Sequence, residues 1–424
     1  MLSQGSPDRE VLMYKIQKPV LSSFFYHARN SPWTWEEVSQ ALIFRSSVYE
    51  QTAPTDFVRK DSYKYYQTLF REKVPSEPQN MMVTVKEENE PYIRTNATLL
   101  SIITNDDLEP LLATLSDVEK LWNKNYHYPY VFLSPDSLTE DFQSRVKQIC
   151  SGEVFFEQIP ESVWSTPSNI DPAKQKQGVE KLNLNGVRYA DDLNYHHKMR
   201  FKAGYFYKAE SLKNFKYYWN LEPGSQYHCE VNYDVFKFME QNDLTYGFAI
   251  SLYDNPYTIE TLWPTALEFV QKHPNYISQN ASFNWLTESI QNPAYTEIAH
   301  GYSTCHFWSA FEIGNMDFFR SKAYNQFFQH LDSAGGFYYE RWGEAPVHSI
   351  ALGLFTDKNK LWWFRDIGFS QSPYHHRPLN DKCHYSRDPP GYFAEKSVRN
   401  QNCLQNWLRY EQSQQNREAY TVNN

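Results

Sequence analysis

No stretch of about eighteen consecutive apolar residues occurs anywhere in this chain, so no run of it is long enough to cross a bilayer as a helix. The N-terminus, MLSQGSPDREVLMYKIQKPV, lacks the basic start and apolar core of a secretory signal. Basic runs are missing too. With 41 Lys and Arg against 50 Asp and Glu the net charge is −9, which argues against a nucleic-acid partner. Neither G-x-G-x-x-G nor G-x-x-x-x-G-K-S/T is present, so a dinucleotide fingerprint and a Walker loop are both excluded. Cysteine is scarce: there are five, at positions 150, 229, 305, 383 and 403, and no C-x-x-C pair. A zinc knuckle or thioredoxin-type site is therefore unsupported. The odd count leaves at least one thiol free or intermolecular. No internal repeat of roughly 20–50 residues is visible.

Aromatic residues, in contrast, make up 17% of the chain, with 32 Tyr, 28 Phe and 12 Trp. They suit a large core or a carbohydrate-binding cleft, and the core accounts for most of them. A chain of 424 residues is long enough for one large domain or two ordinary ones. Residues 1–94 are polar and aromatic and read as a stem with an accessory helix in SPWTWEEVSQALIFR, capped by Ser31 or Thr34. The run VKEENEPY reads as a solvated linker. A regular pattern follows. TLLSIIT (98–104), YPYVFLS (128–134) and EVFFEQI (153–159) read as buried strands. Between them Leu108, Leu112, Leu115, Val118 and Trp122, then Leu138, Phe142, Val146 and Ile149, recur at helical spacing. This alternation predicts a parallel sheet with right-handed crossovers, which binds ligands at the carboxyl ends of its strands. YHHKMRFKAGYFYKAESL and LWPTALEFVQKHP read as helices. In KYYWNLEPG, Tyr217, Trp219 and Leu221 alternate as in a strand, so Glu222 lies where the strand ends and a Pro-Gly turn begins.

The chemistry is densest between Glu312 and Ser349. Glu312 follows the aromatic string CHFWSAF, and RWGEAPVHS packs Arg341, Trp342, Glu344 and His348 into eight positions. Aromatic rings stack on sugars and carboxylates stabilise cationic sugar transition states. The same composition also fits an aromatic helix, a turn at Gly335-Gly336 and an ordinary salt bridge. Paired carboxylates beside aromatics suit a glycosidase as well as a transferase. Glu222, at a strand edge, can hold Mg²⁺ or Mn²⁺ bridged to substrate phosphates, although Glu-Pro-Gly alone more commonly marks a turn.

These strings, together with NATLLSIITNDDLEPLLATLSDVEKLWNKNYHYPYVFLSPDSLTEDF, YHHKMRFKAGYFYK and YYWNLEPGSQYHCEVNYDVFKFME, resemble the fungal α-1,2-mannosyltransferase family, glycosyltransferase family 15, from about Asn96 to about Pro378. The resemblance implies a GT-A-like single α/β domain over residues 95–424. Its central sheet would be mixed and mostly parallel, flanked by helices, with a C-terminal extension. It implies retaining transfer of mannose from GDP-mannose to mannose residues of N- or O-linked glycoprotein glycans, with Mn²⁺ as cofactor. A non-catalytic or mannosylphosphate-transferring relative is the alternative. Family members work in the Golgi lumen, held by an N-terminal membrane anchor that is not present in this chain. The sequons at Asn96 and Asn280 mildly favour the secretory lumen.

Residue by residue, the resemblance implies metal binding by Glu222, which supplies one carboxylate where GT-A enzymes often have Asp-x-Asp. The family's second metal ligand is a His soon after its DIG segment; here Asp366-Ile367-Gly368 leads to Gln371 instead. Gln is a weaker ligand, and His375 or His376 would have to shift to replace it. Glu312 matches a Glu that faces the anomeric carbon, as nucleophile or as stabiliser of an oxocarbenium ion. Tyr195 matches a Tyr near the donor phosphates, with Arg200 a further phosphate candidate. Glu344 replaces the Asp of the family's RWGDAP, to bind acceptor hydroxyls or orient Arg341. Asp254 would bind acceptor or metal, and Trp308, Tyr338, Tyr339 and Trp342 would shape the acceptor cleft.

Overall fold

The computed structural model describes residues 72–87, 92–289, 291–385, 391–392 and 396–421. The helix expected in SPWTWEEVSQALIFR lies outside the described residues, as does part of the VKEENEPY run. The end of the expected stem does not stand free. Val74 is buried, its amide donates to Leu379 O at 2.8 Å, and Gln79 donates from its amide to Ala419 O.

The apolar runs become strands. β1 (Ala97–Ile102) is buried along its whole length and lies between β2 (Tyr130–Ser134) and β4 (Tyr217–Leu221), parallel to both. β3 (Val154–Gln158) pairs parallel with β2 at one edge. At the other, β6 (Tyr246–Phe248) and β10 (Leu361–Trp363) pair parallel, and β9 (Phe311–Asn315) runs antiparallel between β4 and β6. The order is β10-β6-β9-β4-β1-β2-β3. The sheet is thus mixed and mostly parallel, as expected, with β9 as its one reversed strand. The string LTYGFAISLYD divides into β6 and a separate β7 (Ser251–Tyr253), which pairs with β8 (Cys305–Phe307).

Both faces of this sheet are covered. Leu100, Tyr218 and Tyr246 point into one hydrophobic cluster, while Leu99, Trp219, Phe311 and Ile313 point into another. Alternation along each strand divides them. α1 (Leu108–Val118) and α2 (Glu140–Ile149), the latter capped by Thr139, cover the second face. α3 (Pro172–Leu184) leads into α4 (Leu193–Gly204), which packs on the first face with α5 (Leu262–Lys272), α6 (Lys322–Ala334) and α7 (Glu344–Phe355). Gly335 closes α6 at φ 78°, the left-handed cap that a turn at Gly335-Gly336 requires.

A small second sheet, β5 (Gln226–Tyr227), β11 (Phe369–Gln371), β12 (Tyr374–Arg377) and β13 (Gly391–Tyr392), follows the Glu222 turn. Cys229–Cys383 and Cys305–Cys403 are disulfides and Cys150 is the free thiol. The C-terminal residues are therefore tied into the domain: Trp407 and Tyr420 are core side chains. Among the described residues no helix is long and apolar enough to cross a membrane.

Candidate active site

The carboxyl ends of β1 and β4 open onto a cleft of about 1380 Å³ whose lining includes Thr104, Tyr195, Glu222, Trp308 and Glu344. This is where a parallel sheet offers its ligand site. One stripe of α4 forms a wall. Asp192 caps that helix by accepting from the Tyr195 amide, and Tyr195, Lys198 and Lys202, spaced by three and four residues, share the face turned to the cleft.

A charged ladder runs down this wall. Lys198 Nζ lies 2.8 Å from Glu222 Oε1, and Lys202 Nζ lies 3.5 Å from Glu222 Oε2. Lys202 also reaches Glu344 Oε1 at 2.7 Å, where the Ser309 hydroxyl donates at 2.6 Å. Burial alone would raise the Glu222 carboxyl, but the two ammonium groups outweigh it and hold it at about 2. Glu344 is likewise pulled below its ordinary value, by Lys202 and Ser309 against burial. Burial opposes the charge on Lys202, yet Glu344 and Glu222 hold its pKa above the ordinary value. Glu344 also sits in the first turn of α7, where the helix dipole favours an anion.

At the N-terminal end of the same stripe lies a chain of side chains around Tyr195. Arg341 Nη1 donates to the Tyr195 hydroxyl at 2.7 Å, and the guanidinium lies 5.1 Å from the ring centre. Arg341 Nη2 approaches Asp254 at 3.9 Å. Tyr189 stacks on Tyr195 with ring centres 4.7 Å apart. Burial pushes the Tyr195 phenol up to about 12, despite Arg341, so it stays a proton donor at neutral pH. A second wall is Trp308, packed edge-on against Tyr374 at 4.9 Å, and Gln371, whose amide donates to Pro223 O at 3.4 Å.

Residues 52–412 match the family described as Glycolipid 2-alpha-mannosyltransferase. The chain belongs to that family. It is 41% identical over 333 residues to the probable mannosyltransferase KTR4 of Saccharomyces cerevisiae, which covers 77% of this chain and 72% of that protein. The crystal structure of the S. cerevisiae mannosyltransferase Ktr4p in complex with GDP superposes with a TM-score of 0.82 at 38% identity, covering 87% of this chain and 95% of that one. Core-mannan synthase A from Aspergillus fumigatus, in its Mn/GDP form, gives 0.74 at 42% identity, covering 79% and 90%. The GT-A-like fold expected from the sequence is the fold of these glycosyltransferases.

Within this mannosyltransferase scaffold the structure sorts the expected site residues. Tyr195, Glu222, Asp254, Trp308, Arg341, Glu344 and Gln371 all line the cleft. Glu312 does not. It is 2% exposed. Tyr218 and Tyr246 donate to it at 3.1 and 2.8 Å, and His348 Nδ1 lies at 3.5 Å. The reason is the pleat of β9: Phe311 and Ile313 face one core, so Glu312 faces the other, behind Lys202 and Glu344. Arg200 does not line the cleft either. Its guanidinium makes a bidentate pair with Asp332 at 2.7 and 2.8 Å and lies over Tyr205. Trp342 is buried against Phe337 with its indole donating to Glu340. Tyr338 and Tyr339 hold neighbouring segments through Ser165 O and the Asp171 amide.

Nor do the adjacent histidines replace Gln371. His376 is fully buried, its Nε2 2.9 Å from Arg365 O, and burial holds it down at about 3. His375 pairs with Ser370 across the β11–β12 hairpin, one register step from Gln371, and so faces the other side. Lys198, Lys202, Ser309 and His306 also line the cleft and were not singled out from the sequence. The lysines carried a signal, since both follow Tyr195 on one helical stripe. Ser309 and His306 carried none.

Proposed function

We propose that this chain transfers mannose from GDP-mannose to a hydroxyl of a mannose on N- or O-linked glycoprotein glycans, with retention, forming an α-1,2 linkage. The observation that carries the reading is the pairing, within one cleft at the sheet's carboxyl edge, of Lys198, Lys202 and Arg341, a set of donors suited to a diphosphate although each is held by a carboxylate, with aromatic side chains suited to sugars. In the reaction the C1–O bond to the diphosphate breaks and its electron pair leaves with the phosphate. The acceptor oxygen bonds to C1 on the same face, and the acceptor proton passes to the departing phosphate oxygen. Tyr195, protonated and aligned by Arg341, donates a hydrogen bond to that phosphate. Arg341 adds positive charge beside it. Glu344, ionised and fixed by Lys202 and Ser309, accepts from an acceptor hydroxyl, and Trp308 stacks on an acceptor ring.

Glu312 is enclosed by two phenols and an imidazole. That enclosure favours a stabilised ion pair over attack on C1, with Glu312 supplying negative potential behind the sugar. A divalent cation, Mn²⁺ by likeness to core-mannan synthase A, fits one rim of the cleft. Glu222 and Gln371 both line it, and Gln371 contacts the turn that follows Glu222. These two would offer it oxygens, with phosphate and water completing the shell. When bound, the ion would neutralise charge on the leaving diphosphate. Residues 95–424 form the catalytic unit in this reading and residues 1–94 a stem whose last part, from Val74, packs against that unit. Two disulfides suit an oxidising compartment, in keeping with the Golgi lumen.

Incubation of the purified protein with radiolabelled GDP-mannose and α-methyl-mannoside tests this reading. The expected product is a disaccharide with an α-1,2 linkage by NMR. Release of free mannose without a disaccharide would instead indicate a hydrolase, and no turnover on mannosides or glycan acceptors would leave a non-catalytic relative.

A further inference from the structure

The rim assigned to the metal already holds cations. Glu222 is contacted on both oxygens, by Lys198 at 2.8 Å and by Lys202 at 3.5 Å. Beside it stands Gln371, a neutral amide that adds no charge. Among the described residues no group of three or more His, Cys, Asp or Glu is assembled that could hold a metal ion. A dication reaching Glu222 therefore meets one carboxylate that is already paired.

The two lysines differ in what holds them. Lys202 is 6% exposed and bound to Glu344, whose side chain is 5% exposed, at 2.7 Å. Withdrawing it would strand a buried carboxylate. Lys198 is 26% exposed, lines the cleft and is paired with Glu222 at its open end. Its ammonium is a compact charge on a flexible four-carbon stem, a form well suited to following phosphate oxygens.

We propose that Lys198 is the resident cation of this site. It occupies the place at Glu222 that a divalent ion would take, and it swings onto the diphosphate oxygens when nucleotide enters, so that GDP binding does not require metal. The proposal rests on the reading of the cleft as the GDP-mannose site. Lys202 remains on Glu344 and keeps Glu222 ionised throughout. The same contact makes Lys198 a competitor of the metal, because Mn²⁺ can take Glu222 only after the ammonium has left.

Calorimetric titration with GDP, in EDTA and in millimolar Mn²⁺, tests this on the wild type, Lys198→Met and Lys198→Arg, with melting temperatures confirming that each is folded. The wild type is expected to bind GDP in EDTA within about threefold of its affinity in Mn²⁺. Lys198→Met is expected to lose about tenfold or more in EDTA, about 1.4 kcal/mol, and to recover in Mn²⁺. Lys198→Arg is expected to keep metal-free binding. Manganese binding without nucleotide, read by electron paramagnetic resonance, is expected to tighten in Lys198→Met. Wild-type binding that requires Mn²⁺ would overturn the role of Lys198 and leave mannosyl transfer standing. So would a Lys198→Met protein whose EDTA and Mn²⁺ affinities match those of the wild type. Absence of GDP binding in both conditions would overturn the reading of the cleft itself.

Discussion

Lys202 Nζ lies 2.7 Å from Glu344 Oε1, and through this pair the end of α4 and the start of α7, far apart in the chain, are held at the same cleft. The pair is buried, so each charge depends on the other. Replacing Lys202 by Met is expected to cost about 3–5 kcal/mol, because it leaves a buried carboxylate unpaired. Urea denaturation at pH 7 reads this directly. A loss below about 1 kcal/mol would show that water reaches Glu344 and that the pair is peripheral.

Acid should weaken the fold through Glu222. Its carboxyl is held at about 2 against an ordinary value of 4.5. A depressed folded-state pKa means that the folded form binds fewer protons than the unfolded one. The contribution is therefore fully present above about pH 4.5 and is lost as pH falls towards about 2. Glu222→Gln is expected to flatten the stability-against-pH curve in that window, and an unchanged curve would mean that other carboxylates dominate acid unfolding.

Tyr195→Phe removes the hydroxyl and leaves the ring stacked on Tyr189. The expected loss is in kcat, by about 10²-fold, with GDP affinity changed only a few-fold. A fall in affinity alone, with kcat preserved, would mean that the phenol binds the nucleotide without assisting its departure.

For Glu312 the two chemical routes separate cleanly. A covalent nucleophile replaced by Ala is rescued by azide, which yields a mannosyl azide. The enclosure of Glu312 by Tyr218, Tyr246 and His348 leads us to expect no such product. Glu312→Gln should lower kcat by about 10²-fold or more through lost electrostatic stabilisation. Detection of the azide adduct would establish the nucleophile.

Arg200 acts as a brace. Arg200→Met is expected to lower the melting temperature, since it breaks a bidentate pair with Asp332, while KM for GDP-mannose stays within about twofold in the folded protein. A several-fold rise in KM with an unchanged melting temperature would return Arg200 to the phosphate site.

The amino-acid sequence alone determined the alternating strands and helices of residues 97–158, because local apolar periodicity sets which face of each element is buried. It also located Glu222 at the end of a strand, since strand alternation followed by Pro-Gly admits one local geometry. The resemblance singled out Tyr195, Asp254, Trp308, Arg341, Glu344 and Gln371, and the fold brings all six to one cleft. Tertiary structure decided the rest. Glu312 lies in a strand whose neighbours Phe311 and Ile313 claim the opposite core, and only the pairing of β9 between β4 and β6 shows that its carboxylate is enclosed by tyrosines. Arg200 finds Asp332 across 132 residues, and Lys202 joins Glu222 to Glu344, neither of which any local pattern records. Burial on a given face is a property of short segments, whereas the partner of a buried charge depends on which distant segment the fold brings against it.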